Sequence, residues 1–263
     1  MLLQLSPSAY ACFLKRIRLK AMPPLLPLDK GATSGFCYDF SPMPYYSALR
    51  EEYRLASLAG EGDSLTRALR LMQWLCAHTY YSGAARLSGK KFKDLPDTQA
   101  ILRFAVDKPF LYALNCRDKA IVLSDLLLSV GIFAMPLWLV RGGNCHCITH
   151  VFLPEHGVWS VLDPSFNAYF MAEKPYPLDI IALRESSMSG NIPAPARYSL
   201  NGGSDCLSVY TGIFIAGCLD DILFWQGNTH RRLPDTRKPQ DSRFISPRGG
   251  NTSVEDLLRA PPH

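Results

Sequence analysis

The residues able to do chemistry lie close together in one part of the chain. Cys116 follows Asn115, a run Cys145-His146-Cys147-Ile148-Thr149-His150 comes thirty residues later, and Asp163 precedes Pro164. A cysteine attacks as its thiolate, and a neighbouring imidazole can take the thiol proton. A carboxylate beside that imidazole fixes its tautomer and stabilises its charged form. Cys116, His146 and Asp163 are therefore the candidate catalytic set, and the chemistry they suit is acyl transfer through a thioester. His146 takes the proton from Cys116, and the thiolate attacks a carbonyl or carboxamide carbon. The same imidazole protonates the leaving amine, and water or a second amine then releases the acyl group. No cofactor is required.

Simpler roles exist for each residue. A buried cysteine taken singly is commonly a small hydrophobe, and Asp163 could simply open a turn before Pro164. His150 is the rival to His146, because residues of equal parity on a strand share a face. It is assigned here to the pocket around the base. Cys145, His146, Cys147 and His150 are also all zinc-ligand types. On a strand the two cysteines face one side and the two histidines the other, so the four do not converge and no metal site is assigned.

The elements that must position these groups can be read from the pattern. Ala120, Ile121, Leu123, Leu126, Leu127, Leu128 and Val130 are apolar around most of a helical wheel, which describes a buried helix over 118–130. Asn115 suits its N-cap and Gly131 its stop. Cys116 then falls in the first turn, where free N–H groups and the helix dipole favour an anion and can also donate to an oxyanion. Strands are expected from Phe133 to Val140, His146 to Leu153 and Val158 to Asp163, with Gly142-Gly143-Asn144 and Pro154-Glu155-His156-Gly157 as turns. A hairpin folding about Pro154-Glu155 would set His146 directly opposite Asp163 and His150 opposite Trp159.

These segments resemble the transglutaminase-like superfamily of papain-fold proteins. There a cysteine opens a buried helix, a histidine opens a strand, and an aspartate, usually followed by proline, ends the next strand. Asn115-Cys116-Arg117-Asp118 is similar to the first element. Gly131-Ile132-Phe133-Ala134 is similar to the family's Gly-Ile-Pro-Ala turn, with Phe133 in place of proline. His146-Cys147-Ile148-Thr149-His150-Val151-Phe152 lies where the family reads His-Ala-Trp-Val-Glu-Val-Tyr, and Leu162-Asp163-Pro164-Ser165 is similar to the aspartate element. The resemblance covers roughly 64–188. It implies an α+β papain-like, transglutaminase-like core in which a buried helix carrying the cysteine packs on an antiparallel sheet carrying the histidine and aspartate. It also implies a protease, amidase, peptide deglycosylase or cross-linking transferase, with a peptide or protein amide as substrate. Asn115, His150, Asn167 and Tyr169 are the candidate substrate-binding residues. The departures at Ile148 and His150 leave a second class open, a non-catalytic binding or scaffolding domain.

The remaining sequence sets bounds. A chain of 263 residues with a net charge of +5 is long enough for a sizeable core, and it carries no nucleic-acid module motif. Its eight cysteines lack the regular spacing of a disulfide framework. The basic cluster Lys15-Arg16-Ile17-Arg18 follows the short apolar start instead of preceding it, and no run is long enough to span a membrane. A cytoplasmic setting is the resulting expectation.

Three regions are expected: an extended lead-in over 1–44, the domain over 45–225, and a basic Pro/Gly-rich extension over 226–263. Helices are expected over Tyr45 to Leu58, after the cap at Asp63 or Ser64, after Asp97 and after Asp179. Lys90-Lys91-Phe92-Lys93 reads as a solvated turn. Asn191 to Pro195 reads as a linker, and Leu207 to Ile215 as a strand. The basic tail reads as loosely ordered and suited to an acidic partner.

Overall fold

The computed structural model describes residues 44–82, 97–109, 111–141, 144–171, 174–201, 203, 207, 210–225, 244–245 and 258. The expected lead-in apart from Pro44, the Lys90–Lys93 turn and nearly all of the basic tail lie outside these residues. The described chain is an α+β fold with helices against a seven-stranded antiparallel sheet.

The helical side is built first. Tyr45 to Leu58 is not one helix: α1 (Pro44–Glu52) and α2 (Leu55–Ala59) are separated by Arg54, whose φ of 50° is left-handed and cannot continue a helix. In α3 (Ser64–His78) the Asp63 carboxylate accepts from the Thr66 N–H at 2.7 Å, capping the first turn. α4 (Thr98–Asp107) is capped in the same way by Asp97, which accepts from Ala100. α5 (Cys116–Ser129) is buried nearly all round, its few polar side chains included. Val122, Leu123, Leu126 and Leu127 lie against Ala68, Leu71, Met72 and Leu75 of α3 in one cluster. Most of the helix's stability therefore comes from this packing and not from propensity.

The chain returns from α5 into the sheet. Its strands are β1 (Ala134–Arg141), β2 (Asn144–Leu153), β3 (Val158–Asp163), β4 (Ala168–Phe170), β5 (Pro195–Arg197), β6 (Asp221–Trp225) and β7 (Phe244–Ile245), in spatial order β5-β4-β3-β2-β1-β6-β7. β1 runs back antiparallel beside β2, with Leu139 opposite His146 and Trp138 opposite Cys147. One sheet face meets α5: Thr149 donates its hydroxyl to the Ala120 carbonyl at 3.2 Å. The other face, with Ile148, Trp159, Val161 and Phe170, packs under α6 (Ile180–Met188), whose Ile180 and Leu183 are fully buried.

Three expectations are corrected here. Leu207 to Ile215 is not a strand, because Tyr210–Ile215 forms a π-helical turn in which the Ala216 N–H reaches the Thr211 carbonyl at 3.0 Å. The sheet edge beyond β1 is taken by β6, and Tyr210 and Ile215 bury against the sheet face instead. The stretch read as a linker ends in β5, which extends the sheet beside β4. The tail is not wholly outside the fold: Phe244–Ile245 pairs with β6, and Leu258 packs against the sheet cluster.

Candidate functional site

Cys116 is the first residue of α5, and the Asn115 side chain caps the helix by accepting from the Asp118 N–H at 2.9 Å. The expected cap is therefore present, and it leaves the thiol at the positive end of a helix of 14 residues. Cys116 is half-buried. It touches both the sheet cluster and a smaller group formed by Ala120, Ile121, Trp138 and Cys147.

The histidine and the aspartate meet, although the pairing expected between their strands is displaced. The turn takes Pro154 to Gly157, so Leu153 faces Val158, His150 faces Val161 and Thr149 faces Leu162. A fold about Pro154-Glu155 would need a tighter turn, and the register is therefore two residues from the one expected. A shift of two keeps every side chain on its own face. His146 and Asp163 thus become diagonal neighbours, a separation that long side chains span. His146 Nε2 lies 2.6 Å from Asp163 Oδ2. The other carboxylate oxygen, Oδ1, accepts from the Ser165 N–H at 2.9 Å, which fixes the aspartate from behind.

The imidazole has 0% exposure. Burial alone would lower its pKa. The charge of Asp163 and the hydrogen bond to it outweigh that effect, the neighbouring Cys116 adds to them, and the value is pushed up to about 10. Since Nε2 is committed to Asp163, Nδ1 is the nitrogen that remains for the sulfur. Phe166 lies beside the ring, with centroids 5.7 Å apart, and Tyr210, fully buried, turns its hydroxyl toward Asp163.

The other sequence-predicted residues are dispersed. His150 is also 0% exposed and stacks on Trp159 with centroids 4.8 Å apart. Neither of its ring nitrogens has a hydrogen-bond partner among the described residues, and burial lowers its pKa to about 3. It is an interior neutral histidine, and His146 is the one that meets both Cys116 and Asp163. Asn167 has a left-handed φ of 45° in the turn between β3 and β4, and its backbone N–H is directed at the Cys76 sulfur. Tyr169 packs toward the helices, with the Arg197 guanidinium 5.9 Å from its ring centroid. Cys147 is buried toward α5 whereas His146 and His150 lie on the opposite face. Among the described residues no group of three or more His, Cys, Asp or Glu is arranged to hold a metal ion.

Three residues beneath the site were not singled out by the sequence. Lys119, one turn after Cys116, is 1% exposed, and its ammonium donates to the Thr79 carbonyl at 3.2 Å. Cys76 of α3 donates its thiol to the Pro164 carbonyl at 3.0 Å, and burial pushes that thiol up. Tyr210 reaches the site from the π-helical turn. For Lys119 a signal existed, a basic residue beside the apolar run that opens at Ala120. For Tyr210 nothing local distinguishes it from a core aromatic. Asp118 is buried as well, which raises its carboxyl, and Arg117 lies 3.1 Å away in partial compensation.

Among the described residues no helix is long and apolar enough to cross a membrane. Comparison with protein-family models, with curated proteins and with solved structures found no match.

Proposed function

We propose that this protein is a thiol-dependent acyltransferase or amide hydrolase with Cys116 as nucleophile, His146 as proton carrier and Asp163 as the group that orients it. The observation that carries this reading is the 2.6 Å contact between His146 and Asp163, with Cys116 interacting with the same imidazole from the start of a helix. A helix carrying the cysteine against an antiparallel sheet carrying the other two groups also agrees with a papain-like, transglutaminase-like core.

The contact between His146 and Asp163 bears on how the cycle begins. Once the ring has taken the Cys116 proton, the charge of Asp163 favours its imidazolium form, and the reactive pair is thiolate and imidazolium. The thiolate forms a bond to the carbonyl carbon of a peptide or protein amide, and negative charge moves to the oxygen. N–H groups of the first turn of α5 are suited to receive that oxyanion. Collapse breaks the C–N bond, and the amine leaves with the proton given up by His146. Neutral His146 then takes a proton from water or from a second amine as it attacks the thioester, and the sulfur leaves as thiolate. Asp163 keeps Nε2 occupied throughout, so that Nδ1 does the proton transfer. This cycle involves no cofactor.

Full enclosure of His146 favours one other reading, a binding domain that keeps the fold without turnover. The two separate on trapping with a library of electrophilic peptides followed by mapping of the adduct. The enzyme reading expects a covalent adduct on Cys116 that disappears in His146→Ala, and captured peptides that share a preferred acyl group. Adducts spread over Cys76, Cys145 and Cys218, or unchanged capture in His146→Ala, would overturn it.

A further inference from the structure

The chain just before the nucleophile is held by a turn that supplies none of the three reacting groups. Tyr81 and Leu114 form a parallel bridge: the Leu114 N–H donates to the Tyr80 carbonyl at 2.9 Å, and the Ser82 N–H donates to the Leu114 carbonyl at 3.0 Å. Leu114 leads directly into the cap Asn115 and then Cys116, so this bridge fixes where α5 begins. Tyr81 is buried, and buried backbone groups need partners. The bridge uses groups of Tyr80 and Ser82, and the N–H and C=O of Tyr81 itself are met by the Asn201 side chain instead. Asn201 Oδ1 accepts from the Tyr81 N–H at 2.8 Å, and its Nδ2 donates to the Tyr81 carbonyl at 3.0 Å. One carboxamide, an acceptor and a donor side by side, stands in for a neighbouring strand.

The same turn reaches the histidine side of the site. Asn201 holds a left-handed φ of 49°, which asparagine adopts more readily than most residues. Leu200 and Gly203 close the turn around it, each N–H donating to the other's carbonyl at 2.8 and 2.9 Å. The Ser199 N–H donates to the Phe166 carbonyl at 2.8 Å. The Phe166 ring lies 5.3 Å from that of Tyr81 and 5.7 Å from that of His146, centroid to centroid. The turn therefore grips the backbone at two places, Tyr81 on the way to Cys116 and Phe166 beside His146.

We propose that Asn201 is a positioning residue whose carboxamide, clasped on the Tyr81 backbone, holds the start of α5 in register with His146. The inference rests on the acyl-transfer reading of Cys116, His146 and Asp163. Without the clasp, the bridge from Tyr81 to Leu114 loosens, Cys116 drifts from the imidazole, and proton transfer between sulfur and ring is impaired. Asn201 acts through Tyr81 and Leu114 and transfers no proton itself.

The test is Asn201→Gly in the full chain, which keeps the left-handed backbone and removes both hydrogen bonds. Alkylation of each cysteine by iodoacetamide is followed by mass mapping at about pH 6 and about pH 9, and amide hydrogen exchange is followed at Ser82 and Leu114. A misplacement of about 1 Å can cost about 100-fold, so the Cys116 rate at about pH 6 is expected to fall about tenfold or more, with Cys145 unchanged. At about pH 9 an ordinary thiol ionises without help from an imidazole, and there the loss is expected to vanish. The Ser82 and Leu114 amides are expected to exchange faster. An unchanged Cys116 rate at about pH 6 overturns the inference while leaving the site reading intact. So does a loss of equal size at both pH values, which would be general loosening of the fold. In the unsubstituted protein, a Cys116 no faster than Cys145 at about pH 6 overturns the site reading itself. Should Asn201→Gly fail to fold, Asn201→Asp, which keeps the acceptor and loses the donor, is measured in its place and judged by the same outcomes.

Discussion

Replacing His150 with phenylalanine removes a titratable group that the fold holds neutral, and the consequence should be legible as a change in acid stability. The ring is 0% exposed, stacks on Trp159, and has a pKa lowered to about 3 by burial. In the unfolded chain the same histidine titrates near 6.5, so between these values the unfolded state binds a proton that the folded state refuses. A depressed folded value means that stability is intact above about pH 6.5 and is lost as the pH falls toward 3, at roughly 1.4 kcal/mol per pH unit. From pH 7 to pH 5 that amounts to about 2 kcal/mol. Urea unfolding of both proteins at half-unit steps from pH 7.5 to 4.5 isolates the effect, since all other groups cancel in the difference. His150→Phe should gain on the unsubstituted protein by about 2 kcal/mol across pH 7 to 5. It should also be no less stable at neutral pH, because two buried ring nitrogens without partners are replaced by carbon. A stability difference that does not change with pH would mean that His150 takes up its proton equally well in both states, and the burial argument would fail.

His146 should show the opposite sign. Its folded pKa, raised to about 10, gives stability that is whole below about pH 6.5 and declines as the pH rises through 10. The stability gap between the unsubstituted protein and His146→Gln, followed by urea unfolding, should therefore narrow steadily between those values. Asn115→Ala removes the cap of α5, and a loss of about 1 kcal/mol in chemical denaturation is expected, together with slower alkylation of Cys116. Leu126→Ala, at a fully buried position between α5 and α3, should cost about 2–5 kcal/mol in the same assay while the pH profile of Cys116 alkylation is retained.

The parts of this fold that the sequence disclosed are those set by local pattern. Apolar residues around most of a helical wheel, with asparagine before and glycine after, describe α5 to within a residue or two at its ends, and Cys116 at its start follows. Alternation along 146–153 put His146 and His150 on one face, and that survived a register error of two residues because side-chain direction repeats every two. The error itself came from the turn, where four residues are used and nothing in Pro154-Glu155-His156-Gly157 states how many belong to the loop. What stayed hidden depends on distant partners. An apolar run such as Leu207 to Ile215 suits a strand equally well until one knows that β6 occupies the neighbouring edge. Lys119 finds its acceptor on Thr79, forty residues away in the chain, just past the end of a different helix. The two-residue strand Phe244–Ile245 is formed only because β6 offers it an edge.

The most direct measurement is the alkylation rate of each cysteine at about pH 6, where ordinary thiols react slowly. Cys116 should react faster than the exposed Cys145, and His146→Ala should remove that advantage without slowing Cys145. Equal rates at Cys116 and Cys145, or a Cys116 rate indifferent to His146→Ala, would contradict the thiolate–imidazolium pair on which the proposed function stands.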